Sequence, residues 1–137
     1  MIVDSSAVLA ILLREPDARR YARAIQTTSP CRMSVANVLE ASIVAESRGG
    51  AAAGHAPDTL LAEGSIELEP VTTEQLTAAR RAWRRFGKGN HPAGLNFGDC
   101  FAYALAEATG EPLLFKGDNF ALTDVVAALA TDAEIAP

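Results

Sequence analysis

The sequence predicts an α/β fold, with a mainly parallel central sheet covered by helices on both faces. Three observations predict it. Short apolar runs at residues 1–3, 31–33, 66–71 and 113–115 alternate with longer segments of helical period. The chain is 49% hydrophobic, and its aliphatic residues far outnumber its aromatics, as in sheets buried on both sides. At 137 residues it fits one domain, 1–137, long enough to bury roughly two thirds of its unfolded surface.

Each element follows from local pattern. The first apolar run ends at Asp4, and a helix follows through Ala7, Val8, Ile11 and Leu12. Pro16 stands where it can open a second helix, which carries Arg19, Arg20 and Arg23. After the second strand Ser34 is an N-cap for a helix striped by Val35, Val38, Leu39, Ser42 and Ile43, which Gly49 and Gly50 end. Residues 51–63 read as a further helix weakened by Gly54 and Pro57. Residues 66–71 alternate apolar and acidic side chains like a half-exposed strand. Thr73 starts a long helix with a stripe at Leu76, Ala79, Trp83 and Phe86 and a basic face at Arg80, Arg81, Arg84 and Arg85. A loop, GKGNHPAGLN, leads to a helix from about Gly98 to Ala108, striped by Phe101, Ala104, Leu105 and Ala108. The stretch LLFKGDNF supplies the last strand and its exit. No repeat or linker interrupts the chain.

Composition narrows the function classes. The net charge of −5 gives no overall attraction to nucleic acid, although a local patch can run the other way. Two cysteines, Cys31 and Cys100, are too few for a disulfide scaffold and lack zinc spacing, so they read as reduced core residues. The start MIVDSSAV is no signal peptide and no apolar run reaches membrane-spanning length, which predicts a soluble, cytoplasmic protein with no membrane partner.

Ligands of open α/β sheets collect beyond the carboxyl ends of the strands. Asp4 follows the first strand, Asp118 follows the last, Asp99 opens the helix before it, and Glu40 lies on the helix after the second strand. Each aspartate also stands at or near a helix start, where capping alone can account for it, and Glu40 taken singly reads as a solvated helix residue. Capping does not explain why four acids favour one end of the sheet. Gathered in a low-dielectric cleft, they would repel one another strongly, and clustered carboxylates without histidine suit a hard cation, Mg²⁺ or Mn²⁺. Other readings fail on the residues. Lys116-Gly117 is followed by Asp118 where a phosphate-binding loop needs Lys-Ser/Thr. A phosphoaspartyl phosphatase needs an acid where Ser6 stands, and a receiver domain needs an acidic pair where only Asp4 is present. His55 and His91 lie in glycine- or proline-rich segments and read as surface residues.

Three blocks, MIVDSSAVLAIL, SVANVLEAS and LNFGDCFAYALAEATGEPLLFKGDNFALTDV, span nearly the whole chain in order. Together they resemble the PIN-domain ribonucleases and, more narrowly, the VapC toxins of toxin–antitoxin pairs. The resemblance implies a PIN-like three-layer sandwich and an acidic quartet for Mg²⁺ or Mn²⁺. By motif position Asp4, Glu40, Asp99 and Asp118 are the catalytic acids, and Asp4, Asp99 and Asp118 the metal ligands. Many relatives carry a further acid where this chain has Asn119, and Asp124 is a substitute or neighbour for the fourth ligand. Ser6 either hydrogen-bonds a metal-binding carboxylate or caps the first helix.

The implied reaction is hydrolysis of an RNA phosphodiester in tRNA, rRNA or mRNA. RNA affinity would then come from Arg80, Arg81, Arg84, Arg85 and Lys88, with Lys116 contacting phosphate or balancing the acids. A solvated face is the alternative for the basic run, and Trp83 reads as core. The implied partners are a VapB-like antitoxin and a second copy, in a homodimer and a toxin–antitoxin hetero-oligomer. Val8, Leu9, Leu12 and Leu13 offer apolar surface for either, or for the core. A catalytically weak protein that only binds an antitoxin is the competing reading. Against it stand all four acids, which an inactive copy has no evident reason to keep.

Overall fold

A computed structural model of the chain describes residues 1–130, so residues 131–137 of the expected single domain lie outside the described residues. Four short strands, β1 (Ile2–Val3), β2 (Cys31–Ser34), β3 (Ile66–Glu69) and β4 (Leu113–Leu114), form one parallel sheet in the order β3-β2-β1-β4. Between them lie α1 (Ser5–Leu12), α2 (Ala18–Thr27), α3 (Val35–Gly49), α4 (Ala56–Glu63), α5 (Thr73–Phe86) and α6 (Phe97–Thr109).

Side chains of adjacent strand residues point to opposite faces, and the core divides accordingly. Val3 and Leu114 pack with Val8, Ile25, Met33 and Leu61 under α1, α2 and α4. Ile2 and Leu113 pack with Ala82, Phe86, Leu95, Tyr103 and Leu105 under α5 and α6. Two buried faces on one sheet make the three-layer sandwich. Both cysteines are free and buried. Among the described residues no helix is long and apolar enough to cross a membrane.

Four details differ from expectation, each for a packing reason. The expected helix over 51–63 is a 3₁₀ turn at Ala51–His55 followed by α4, with Pro57 in the first turn of α4 where its missing N–H costs nothing. On α3 much of the apolar stripe faces outward: Leu39 is 61% exposed and Ile43 55%, while Val38 packs against the core and Asn37, Ala41 and Ala45 face in. Small residues are what the close approach of α3 to its neighbours accepts. On α5 the buried side chains are Gln75, Ala78, Ala79, Ala82 and Phe86, again mostly small, which leaves Leu76 and Trp83 half exposed. His91 is partly buried, its ring edge-on to Phe86 at 5.2 Å between centroids.

Candidate active site

In the strand order, β2 and β4 flank β1, so the connection from β1 to β2 and the one that enters β4 from β3 run in opposite senses, and a crevice opens beyond the carboxyl ends of β1 and β4. The residues that follow these strands fill it. β1 passes directly into α1, which places Asp4 at the helix start in extended backbone. Its Oδ2 accepts from the Ser6 amide at 3.0 Å and the Ser6 hydroxyl at 2.6 Å. Its Oδ1 is buried and has no partner among the described residues. Burial raises the Asp4 pKa to about 7; the Ser6 hydrogen bonds oppose the rise, and the carboxylates of Asp99 and Glu40 add to it.

Asp99 is fixed by a reciprocal capping box at the start of α6. Asn96 Oδ1 accepts from the Asp99 amide at 2.9 Å, and Asp99 Oδ2 accepts from the Asn96 amide at 3.0 Å. The Asn119 amide also donates to Oδ2, at 3.4 Å, so Oδ1 stays uncommitted among the described residues. Burial raises this pKa as well, opposed by the bonds from Asn96 and Asn119 and reinforced by Glu40.

Glu40 reaches the crevice from α3. Its Oε1 accepts from the Ser5 hydroxyl and from Asn37 Nδ2, the latter at 3.3 Å. Its Oε2 lies over Gly98, only 1.8 Å from where a Cβ on that residue would stand. Asn37 is fully buried and also donates to the Gly98 carbonyl at 2.9 Å, which ties α3 to α6 under the carboxylate. Asp118 is exposed on the turn after β4, where Gly117 at φ 101° makes the exit. The Ser6 hydroxyl accepts from the Lys116 amide at 2.9 Å and so links this turn to Asp4.

All four expected acids, with Ser6 and Asn119, therefore line one cleft of about 290 Å³. Two buried side-chain atoms lack a hydrogen-bond partner among the described residues, Asp4 Oδ1 and Asn37 Oδ1, and both belong to this cleft or its support. No three acidic, histidine or cysteine side chains among the described residues already converge tightly enough to enclose an ion. The free oxygens of Asp4 and Asp99, with Asp118 at the rim, fit a small hard cation that keeps several of its waters.

Other expected residues lie elsewhere. Asp124 is no neighbour of the quartet: it accepts from the Tyr103 hydroxyl at 2.6 Å and from Arg85 at 3.4 Å, beside a separate cavity. Lys116 lines the cleft, but its ammonium is held by Glu15 and by Asp17 at 2.9 Å, which raises its pKa; it balances those acids rather than the quartet. The basic residues of α5 do not line the cleft. Arg81 pairs with Glu107 at 2.5 Å and Arg85 with Asp124, whereas Arg80, Arg84 and Lys88 have no ion-pair partner among the described residues.

A PIN-domain family model matches residues 1–126. The chain belongs to the PIN-domain family. Within it the relatives are VapC ribonucleases. The chain is 51% identical to "Ribonuclease VapC" of Mycolicibacterium smegmatis, covering 93% of this chain and 98% of that one. It is 46% identical to "Ribonuclease VapC30" of Mycobacterium tuberculosis, over 91% and 95% of the two chains. The crystal structure of VapC20 of M. tuberculosis, described as a sarcin–ricin loop cleaving toxin, superposes with a TM-score of 0.75 at 17% identity, over 91% of this chain and 95% of that one. The fold is thus the PIN fold, and the chain is a ribonuclease of the VapC type.

Sequence reasoning passed over four residues of this PIN site. Asn96 was visible as the first member of an Asn-x-x-Asp capping box. Asn37 stands three residues before Glu40 as a polar residue on the inward side of α3. Ser5 and Gly98 carry no local signal, because their partner, Glu40, is distant in sequence.

Proposed function

We propose that this chain is a Mg²⁺- or Mn²⁺-dependent endoribonuclease that acts as the toxin of a VapBC-type pair. The observation that carries the reading is Asp4: a buried carboxylate with one oxygen unpartnered, its pKa lifted to about 7, facing two further acids in an open cleft. Such an arrangement repels phosphate until a cation is present. Asp4, Asp99 and Asp118 are the proposed metal ligands, and Mg²⁺ or Mn²⁺ bound there supplies a Lewis acid for the phosphate and a water of lowered pKa.

The side chains of the cleft divide the remaining work. Ser6 holds Asp4 Oδ2, which leaves the buried Oδ1 as the oxygen without a partner among the described residues. Asn119 holds Asp99 Oδ2 in the same way, as an outer partner in place of the family's further acid. Glu40, fixed by Ser5 and Asn37, orients the nucleophilic water or its shell. Arg80, Arg84 and Lys88 are the available cations for RNA phosphates, with Arg81 and Arg85 at the margin. The substrate is tRNA, rRNA or mRNA.

The proposed partners are a VapB-like antitoxin and a second copy of the chain. Their support is the apolar face of Leu39, Ile43 and Phe97, the last 81% exposed, which opens beside Glu40. Cleavage of total cellular RNA should vanish in EDTA and return with Mn²⁺, and Asp99→Asn should abolish it. Full cleavage by Asp99→Asn would remove the acid quartet from the mechanism, and antitoxin binding without any cleavage would leave the chain a binding protein alone.

A further inference from the structure

Trp83 is the only tryptophan of the chain and sits near the end of α5 with 49% of its surface exposed. Its ring is not loose. The Cδ1–Nε1 edge lies against Gly87, at 2.7 and 2.9 Å from where a Cβ would stand, so glycine there seats the indole. Arg80, three residues before Trp83, shares its side of the helix; Arg84 is the neighbour of Arg80 one turn on, about a quarter-turn round from the ring, and Lys88 follows at the helix end. These three cations have no ion-pair partner among the described residues, unlike Arg81 and Arg85 on the next face. A chain of net charge −5 therefore presents a fixed half-exposed aromatic ring among uncompensated cations.

The ring also connects with the acid cleft. Gly87 and Leu95 form a bridge, closed by bonds from Lys88 N to Leu95 O and from Leu95 N to Phe86 O, both 2.9 Å. The next residue, Asn96, bonds Asp99 and lines the cleft. The path from the indole to the candidate metal site thus runs through Gly87, Leu95 and Asn96.

We propose that Trp83, with Arg80, Arg84 and Lys88, is a platform for a single-stranded stretch of the RNA substrate. One base stacks on the exposed indole face, and phosphates on either side of it meet the cations. Aromatic rings among cations suit single strands because every base has a π-face and every linkage a charge. The inference rests on the ribonuclease reading and extends it to substrate shape: the strand beside the cut is unpaired.

The tryptophan is its own reporter. Wild-type protein in EDTA, titrated with a mixed-sequence single-stranded oligoribonucleotide, should show saturable fluorescence quenching that a duplex of the same sequence does not match. By anisotropy of the labelled oligonucleotide, Trp83→Ala should weaken binding about 5- to 150-fold, the range for loss of one base–aromatic stack. Trp83→Phe should retain most of the affinity, and Arg84→Glu should flatten the salt dependence by about 0.7 for each lost phosphate contact. Absence of quenching, or affinity of Trp83→Ala within twofold of wild type, overturns the platform. So does an emission change that follows protein concentration rather than RNA, because the ring would then be covered by a second copy. If Mn²⁺-dependent cleavage persists while quenching is absent, the platform alone fails. Saturable quenching with no cleavage by wild type retires the nuclease reading and leaves the platform standing.

Discussion

Asp4→Asn should make the metal-free protein more stable while abolishing its activity. The reasoning starts from burial. Asp4 is 1% exposed, one oxygen lacks a partner among the described residues, and its folded-state pKa stands at about 7 against 3.8 for an ordinary aspartate. An acid with a raised folded pKa opposes folding above that pKa, because the folded state must then hold a charge that it disfavours. The penalty shrinks as pH falls towards the unfolded value. A shift of about three units corresponds to about 4 kcal/mol at pH 8 and about 2 kcal/mol at pH 5. Asparagine removes the charge, and its carbonyl can still accept the two Ser6 bonds. Its NH₂ takes the place of the unpartnered Oδ1, offsetting about 1–3 kcal/mol unless it finds Glu40 or Asp99 as acceptor. Urea denaturation in EDTA should therefore show the variant ahead by about 1–3 kcal/mol at pH 8, with the lead narrowing by about 2 kcal/mol at pH 5. Added Mn²⁺ should stabilise wild type at pH 8 and leave the variant unmoved. A variant less stable than wild type at pH 8 without metal, or a difference that ignores pH, would refute the account of Asp4 as a strained, uncompensated charge.

Three further outcomes follow from the same geometry. Gly98→Ala should melt within about 1 kcal/mol of wild type, since alanine favours a helix and the obstructing atoms belong to the movable end of Glu40. Its kcat/KM should nevertheless fall about 10- to 100-fold as Glu40 is displaced from Ser5 and Asn37, and unimpaired cleavage would exclude Glu40 from its proposed role. Asn37→Ala should lose about 1–3 kcal/mol in denaturant melts because the buried bond that ties α3 to the Gly98 carbonyl is removed, with activity reduced to a similar degree as in Gly98→Ala. Asn119→Asp replaces a donor to Asp99 with a second carboxylate, so calorimetric Mn²⁺ affinity should rise about tenfold; unchanged affinity would place residue 119 outside the metal's reach.

The fold was legible because strand and helix periods differ and the segments alternate cleanly from Ile2 to Leu114. The three aspartates were legible for a related reason: they follow strands or open helices, and both positions are marked locally, whereas Glu40, inside α3, carries no such mark. Which side of a helix faces inward was not. On α3 the larger apolar residues, Leu39 and Ile43, point outward, because the inward side is reserved for residues small enough to let neighbouring elements approach. Trp83 misleads in the same way, its indole lying outside beside Gly87 while alanines fill the interface. Asp124 shows a third limit. Seven residues after a glycine turn it looked like a neighbour of the quartet, but a phenol 21 residues earlier in sequence holds it at another cavity. Contacts of that kind, like the one between Ser5 and Glu40, have no periodicity to read.

The capping role of Asp4 also bears on how this chain would decay if selection on catalysis were relaxed. Asparagine starts a helix as well as aspartate does, so a single substitution at residue 4 would keep α1 in place while discarding a charge that burdens the fold. An inactive lineage has an easy downhill exit at that position. This chain has not taken it. Its asparagine stands instead at residue 119, on the exposed rim, where a carboxylate would burden folding least. Possession of all four acids is weak testimony to a working enzyme, since two of them also serve their helices. The telling fact is which site kept its charge: the buried one, where drift would remove it first.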